Sequence, residues 1–247
     1  MSGFAGQRYW VVGASEGFGL ALARALSDEG AELVLSARNG ARLEEAAAAM
    51  PGPARAVPVD VADPASVAAA AEAAGQIDGL VFAAGVYWPM AAAEWQAEEA
   101  ETMADVNFTG ALRVLGRVLP AMVARGRGHV LLTGSLTGYR GLPGSIGYTA
   151  SKAGIMSLAE CLACDLRGSG VRVQLANPGF IRTRLTDKNS FAMPFIMEPE
   201  KAAEIVLRHM KSRRFRRDFP RGFGLLFKLG RVLPDALYVR LFAPRGG

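Results

Sequence analysis

Apolar residues along this chain gather in short dense blocks, alternating with stretches where they return every third or fourth position. The blocks at 9–12, 32–36, 54–59, 79–82, 129–133 and 171–176 have the length and the branched or aromatic content of buried strands. The segments at 20–26, 42–50, 64–74, 94–105, 108–125, 148–167 and 199–210 read as helices. Asp63 offers a capping carboxylate ahead of Pro64, and Gly168-Ser169-Gly170 stops the helix before it. The helix at 108–125 presents Leu112, Leu115, Val118, Leu119 and Met122 as a core or subunit face. Residues 213–220, rich in Arg, read as a short edge strand that its charges keep from aggregating. Beyond them, 223–233 and 237–242 carry apolar faces with interspersed Lys and Arg.

At 247 residues the chain is long enough for one α/β domain with a full core, and 51% hydrophobic residues suit a sheet covered on both faces. The first eight residues lack the charged and apolar regions of a signal peptide, and no apolar run approaches the ~20 residues that span a bilayer. Only two cysteines occur, Cys161 and Cys164. With no second pair to complete a zinc site they read as buried helical thiols in a reducing, cytoplasmic setting. His129 and His209 stand apart from other metal-ligating residues, so no metal site is expected. The net charge of +5 is uneven: 12 of the 28 Lys and Arg but only 3 of the 23 Asp and Glu fall after position 200. The basic character therefore belongs to the tail.

The stretch 128–152 carries the first candidate chemistry. Ser135 lies just past the strand at 129–133, and Tyr148 and Lys152 are four residues apart at the start of a helix, on one face. A phenol titrates near 10, but an ammonium at ~4 Å under an effective dielectric of ~20 favours phenolate by about 4 kcal/mol. Such a pair, with Ser135 holding a carbonyl oxygen, makes a general acid/base site for a carbonyl/alcohol couple.

A second element is independent of the first. Gly13-Ala14-Ser15-Glu16-Gly17-Phe18-Gly19 joins the strand at 9–12 to the helix at 20–26. Strand, glycine turn and helix in that order form an anion site, in which backbone amides and the helix dipole face a pyrophosphate.

Together these elements resemble the short-chain dehydrogenase/reductase family over about residues 8–220. Gly13, Gly17 and Gly19 match its glycine motif, with Phe18 beside them and Val12 in place of a Thr. Ser135, Tyr148 and Lys152 match its catalytic residues, and Asn107 matches the Asn that completes its tetrad. The resemblance implies that Asn107 binds a water linking Lys152 to solvent, and that Lys152 contacts the nicotinamide ribose. It also implies adenine contacts from Asp60 and Val61, and nicotinamide contacts from the segment holding Pro178, Gly179, Ile181 and Thr183. One departure stands out. The family's Asn-Asn-Ala-Gly reads Phe82-Ala83-Ala84-Gly85 here, so the hydrogen bonds of two Asn must be replaced or lost; Ala84 and Gly85 still let backbone run beside a cofactor.

Ribose recognition in a dinucleotide fold falls at the end of the second strand, where this chain has Arg38 and no carboxylate. A guanidinium there, with Ser15 adding a hydroxyl, favours NADP(H) over NAD(H). Tyr87 and Trp88, leaving the fourth strand, are either pocket walls or packing. Tyr139 and Leu142 lie in the loop ahead of Tyr148, and Phe191 and Phe195 in a lid-like segment at 184–199. All six are candidate substrate contacts, and the apolar lid suits an apolar or aromatic substrate unless it closes on its own core.

The expected fold is therefore a Rossmann-like doubly wound parallel sheet, helices on both faces, in a single domain. Residues 1–220 are expected to form the NADP-binding catalytic domain. Residues 221–247 are expected to form a basic, apolar extension packing on it or on a partner subunit. The expected activity is reduction of a ketone or aldehyde, with Tyr148 as proton donor in a homodimer or homotetramer that binds no nucleic acid. Two alternatives are NAD-dependent oxidation of a secondary alcohol, and a redox-responsive protein whose basic tail docks on a membrane or a carrier protein, peripheral to the membrane.

Overall fold

In the computed structural model, which describes residues 3–189 and 191–243, the apolar blocks become strands of one sheet. They are β1 (Arg8–Val12), β2 (Glu32–Ser36), β3 (Ala54–Ala56), β4 (Gly79–Phe82), β5 (Gly128–Thr133), β6 (Val171–Pro178) and β7 (Arg216–Phe219). They pair in the order β3-β2-β1-β4-β5-β6-β7, and every pairing is parallel. The chain thus winds outward from β1 in one direction and from β4 in the other. A crevice opens where the two directions part, at the carboxyl ends of β1 and β4.

Side-chain alternation sorts the core into two layers. Trp10 and Val12 of β1, Leu80 and Phe82 of β4, and Val130 and Leu132 of β5 face one side. There they meet α3 (Pro64–Ala74), α5 (Gly110–Ala124) and α6 (Ile146–Asp165). Tyr9 and Val11, Val81 and Leu131 face the other side, under α1 (Gly17–Asp28), α2 (Gly40–Ala48) and α7 (Pro199–Met210). Parallel strands covered on both faces account for the near-continuous apolar blocks. The doubly wound architecture expected from the sequence is the one that forms.

Local chemistry sets the boundaries. Asp63 caps α3 through Ala65 N–H at 2.8 Å with Pro64 in the first turn, and Asn39 caps α2 through Arg42 N–H at 3.1 Å. β3 stops at Ala56, short of the end of its apolar run. The chain nevertheless stays beside β2, with Val57 and Val59 donating to the carbonyls of Leu35 and Ala37. The helices expected at 94–105 and 108–125 do not separate: α4 (Ala97–Ala104) passes through a π turn at Asp105–Thr109 directly into α5.

Below the sheet, His129 is buried among Tyr9, Arg172 and Gln174. Its Nδ1 receives hydrogen bonds from the Tyr9 hydroxyl (2.8 Å) and from Arg172 (3.1 Å), so Nε2 carries the proton and donates to Gln174 Oε1 at 2.8 Å. Burial, with Arg172 next, pushes the imidazole down to about 3 and keeps it neutral. Gln174 in turn donates to the carbonyls of His209, Ser212 and Arg214, which fixes the link between α7 and the edge strand β7.

The tail forms α8 (Arg221–Val232) and α9 (Asp235–Phe242). Phe223 and Phe227 of α8 pack against the core, and Asp218 of β7 accepts from the Lys228 ammonium at 2.5 Å. Arg140 holds the corner between the two helices. It donates to the carbonyls of Gly230 and Leu233 at 2.7 and 2.6 Å, pairs with Asp235, and stacks 3.9 Å from the centre of the Tyr238 ring. Cys161 and Cys164 are exposed on α6, not buried, because α6 turns Ile155, Met156 and Ala159 to the sheet and its last turns outward. Among the described residues no helix is long and apolar enough to cross a membrane.

Candidate active site

The crevice at the carboxyl ends of the strands is a cleft of about 870 Å³. Gly13, Ser15, Gly17, Phe18, Gly19, Arg38, Asp60, Val61, Ala84, Gly85, Tyr148, Lys152, Pro178, Gly179, Ile181 and Thr183 all line it. Residues from six separate segments of the sequence thus converge on one surface.

The glycine turn is built for close approach. Gly13 adopts φ +96°, and a Cβ there would stand 2.5 Å from the amide nitrogen of Ala84; a Cβ on Gly19 would stand 1.9 Å from the Gly13 carbonyl oxygen. Gly13 and Ala14 N–H both donate to the Ser36 carbonyl, at 2.7 and 3.0 Å, which pins the turn to the end of β2. No side chain caps α1, and its first turn holds no acidic residue. The leading amides of α1 are therefore left for an anion, and the turn fits a dinucleotide pyrophosphate. Glu16, just ahead, has its charge met by Arg42 (2.9 Å) and by Arg184.

At the ribose end, Arg38 is exposed at the mouth of the cleft. The Ser36 hydroxyl is turned away: it accepts from Trp10 Nε1 at 2.8 Å and donates to the Val57 carbonyl at 2.5 Å, inside the core. Arg42 and Arg184 also line the cleft, and sequence reasoning missed both. Arg38 precedes the cap of α2 and Arg42 lies in its first turn, so no helical spacing links the two; Arg184 and Glu16 come from distant segments, and nothing local marks them as partners.

Phe82 replaces the first Asn of the family motif by filling the core at 1% exposure, and the strand junction is held by backbone alone, Ala83 N–H to the Val12 carbonyl at 2.8 Å. Asn107 takes up part of the structural work. Its side chain is fully buried in the π turn, where Oδ1 accepts from Val86 N–H at 2.7 Å and Nδ2 donates to the Val86 carbonyl at 3.0 Å and to Ser151 Oγ at 3.1 Å. Ser151 donates in turn to the Tyr148 carbonyl at 2.8 Å. The side-chain amide expected to bind water is thus committed to protein partners, and it ties the exit of β4 to the first turn of α6. Ser151, the link in that chain, is a second residue that the sequence left unmarked.

Tyr148 and Lys152 both face the cleft from α6. Part of Tyr148 remains open to the cleft, but its hydroxyl is desolvated. Burial pushes it up to about 12, against a lowering contribution from the Ser135 hydroxyl and with a small further rise from Tyr87. This overturns the expectation of a phenol acidified by its neighbour. The reason is visible at Lys152, whose Nζ donates to the Thr133 carbonyl at 2.9 Å and stands 5.7 Å from the centre of the Tyr148 ring. Lys152 is 4% exposed, and burial brings its ammonium down to about 8. Ser135, also buried, accepts from the amide and hydroxyl of Thr137 at 3.2 and 3.0 Å and caps the short turn at Leu136–Tyr139.

None of the six substrate-contact candidates, Phe191 and Phe195 included, lines the cleft. Tyr87 packs edge-on against Tyr148, ring centres 5.1 Å apart, as a support behind the phenol and not as a cleft wall. Trp88 lies beneath Lys188, whose Nζ is 4.0 Å from its ring centre. Tyr139 is directed away: its hydroxyl donates to Asp218, at 2.9 and 3.0 Å from the two carboxylate oxygens. Leu142 does not line the cleft either. Phe191 and Phe195, both more than half exposed, join Phe180, Phe223 and Phe227 in an aromatic chain linking the segment after β6 to α8.

Comparisons with known proteins agree with this geometry. The model of the short chain dehydrogenase family matches residues 7–193. An uncharacterised oxidoreductase of Myxococcus xanthus is 40% identical over 165 residues, a stretch covering 67% of this chain and 65% of that protein. A solved short chain dehydrogenase/reductase family protein superposes with a TM-score of 0.82 at 30% identity, covering 88% of this chain and 97% of that one. A short-chain dehydrogenase from Sphingobium yanoikuyae in complex with NADPH superposes with a TM-score of 0.80 at 26% identity, covering 93% and 97%.

Proposed function

The chain belongs to the short-chain dehydrogenase family, and from that premise we propose that it reduces an apolar or aromatic ketone or aldehyde to the alcohol with NADPH. The observation that carries this reading is the meeting, in one cleft, of a protonated phenol, a buried ammonium and an uncapped glycine turn. When bound, NADPH supplies the hydride from its nicotinamide ring. The glycine turn would hold its pyrophosphate, Asp60 and Val61 would flank the adenine, and Pro178, Gly179, Ile181 and Thr183 would bound the nicotinamide end.

Tyr148 gives its proton to the carbonyl oxygen as the carbon is reduced. A phenol pushed up to about 12 is wholly protonated at neutral pH and is an acid in waiting, not a base. Ser135 holds and polarises the same oxygen. Lys152, the nearest buried cation, stabilises the tyrosinate left behind. Asn107 acts through position, keeping the β4 exit and the start of α6 in register.

Preference for NADPH rests on Arg38 and Arg42 at the ribose end and on the lack of a carboxylate at the end of β2. The Sphingobium relative's complex with NADPH supports it. The apolar substrate class rests on the phenylalanines of the lid and of α8. Parallel assays of NADPH and NADH consumption over apolar, aromatic and long-chain ketones test the reading. Turnover with NADPH at a much higher kcat/KM than with NADH is expected; preference for NADH, or no turnover of any carbonyl, contradicts it.

A further inference from the structure

α8 is apolar on two opposite sides. Phe223, Gly224 and Phe227 turn inward, against the core and Asp218. Leu225, Leu226, Leu229 and Val232 are each more than half exposed. At 3.6 residues per turn these four fall within about 120° of one another on the outer face, with Arg221 and Lys228 on its flank. α9 extends the same apolar character through Val239 and Leu241, also more than half exposed. A contiguous outward patch of this kind is unusual on a protein surface that meets only water. It is also held firmly, because Arg140 fastens the corner between the two helices with three hydrogen bonds.

The surroundings are strongly cationic. The three acidic residues beyond position 200 are already occupied: Glu204 by Lys201 and Arg208, Asp218 by Lys228, and Asp235 by Arg140. Among the described residues this leaves Arg213, Arg214, Arg217, Arg221, Arg231 and Arg240 without an acidic partner. Arg221, Arg231 and Arg240 stand on α8 and α9 themselves, and Arg214 and Arg217, which feels Arg221 as a like charge, extend the positive surroundings from the edge strand and the turn before it.

We propose that α8 and α9 are a docking surface for an anionic lipid bilayer, with the outward leucines entering the interface and the arginines meeting the headgroups. Exposed aliphatic side chains rimmed by unpaired cations are the pattern of an interfacial helix. A second copy of the chain is a poorer occupant, since a two-fold contact through α8 and α9 would bring the unpaired arginines of both copies together. An acidic protein would satisfy the arginines but leave the aliphatic face without a reason. Because the inner face of α8 touches the lid through Phe223 and Phe195, 5.7 Å between ring centres, docking would set the cleft mouth beside the membrane. The proposal does not depend on the reaction assigned above.

Sedimentation of the full chain with vesicles tests it. Phosphatidylcholine alone is compared with the same lipid in which a third is replaced by phosphatidylserine. Roughly tenfold or more enrichment on the anionic vesicles is expected, falling as salt is raised. Leu225→Gln with Leu229→Gln, and separately Arg221→Gln with Arg231→Gln, should each remove most of that binding while NADPH affinity is unchanged. Equal pelleting with both lipids, none with either, or undiminished binding by both variants overturns the proposal. So does a lipid-free dimer in sedimentation velocity that Leu225→Gln with Leu229→Gln dissociates, or tighter binding to polyglutamate than to the anionic vesicles.

Discussion

The ammonium of Lys152 donates to the Thr133 carbonyl at 2.9 Å and stands 5.7 Å from the centre of the Tyr148 ring. The two groups share a helix face and a cleft, but the lysine is anchored on the strand end and not on the phenol. Each is desolvated, and each is pushed toward its neutral form, the phenol up to about 12 and the ammonium down to about 8. The site therefore stores a proton on Tyr148 and keeps beside it a cation whose burial is costly. That pairing suits a donor that becomes an anion for part of each turnover.

The cost is measurable. Lys152 binds its proton more weakly in the folded chain, at about 8 against an ordinary 10.5, so folding is opposed below about pH 8 and relieved as pH rises to 10.5. Lys152→Met should raise stability at pH 6–7 by up to about 3 kcal/mol, less whatever the bond to Thr133 contributes, and the gain should fade between pH 8 and 10.5. Urea denaturation across that range checks it. The same variant should lose nearly all turnover, and wild-type turnover should decline as pH rises through about 8.

Arg38→Ala should raise the KM for NADPH by about 10- to 100-fold, the loss of one charge-assisted contact, and leave the KM for NADH within about twofold. Arg42→Ala should do less, because Arg42 is shared with Glu16. Steady-state kinetics with both cofactors reads the difference; an unchanged preference in both variants would place cofactor choice elsewhere.

Asn107→Ala removes both partners of Val86 and the bond to Ser151. A loss of about 2–3 kcal/mol in unfolding free energy is expected, with turnover reduced as the start of α6 loosens. Unchanged stability would mean that water replaces the amide at no cost.

What the sequence made legible follows the range of the interactions involved. The strands, the cap at Asp63 and the glycine turn depend on neighbours or on simple steric demands, and all could be located from local pattern. Gly13 and Gly19 are required by backbone contacts that any side chain would violate, which is why they stand out. The features that escaped depend on partners far along the chain. Tyr139 meets Asp218 across 79 positions, and Asn107 meets Ser151 across 44. The π turn that aims Asn107 has no compositional signature in Asp105–Thr109. The rise at Tyr148 escaped for another reason: spacing revealed the neighbouring charge but not the depth of burial that outweighs it. Cys161 and Cys164 were misplaced because α6 is apolar nearly all round, leaving no stripe to tell its buried face from its open one.

The most direct test of the account is the fate of the transferred hydride with and without the phenol. With NADPH carrying deuterium at the reactive position of nicotinamide C4, and a ketone that supports turnover, the wild-type product should carry deuterium on its carbinol carbon. Tyr148→Phe should bind NADPH with unchanged affinity but form product at least ~1,000-fold more slowly. Deuterated product formed by Tyr148→Phe at a rate within tenfold of wild type would contradict the role assigned to this tyrosine.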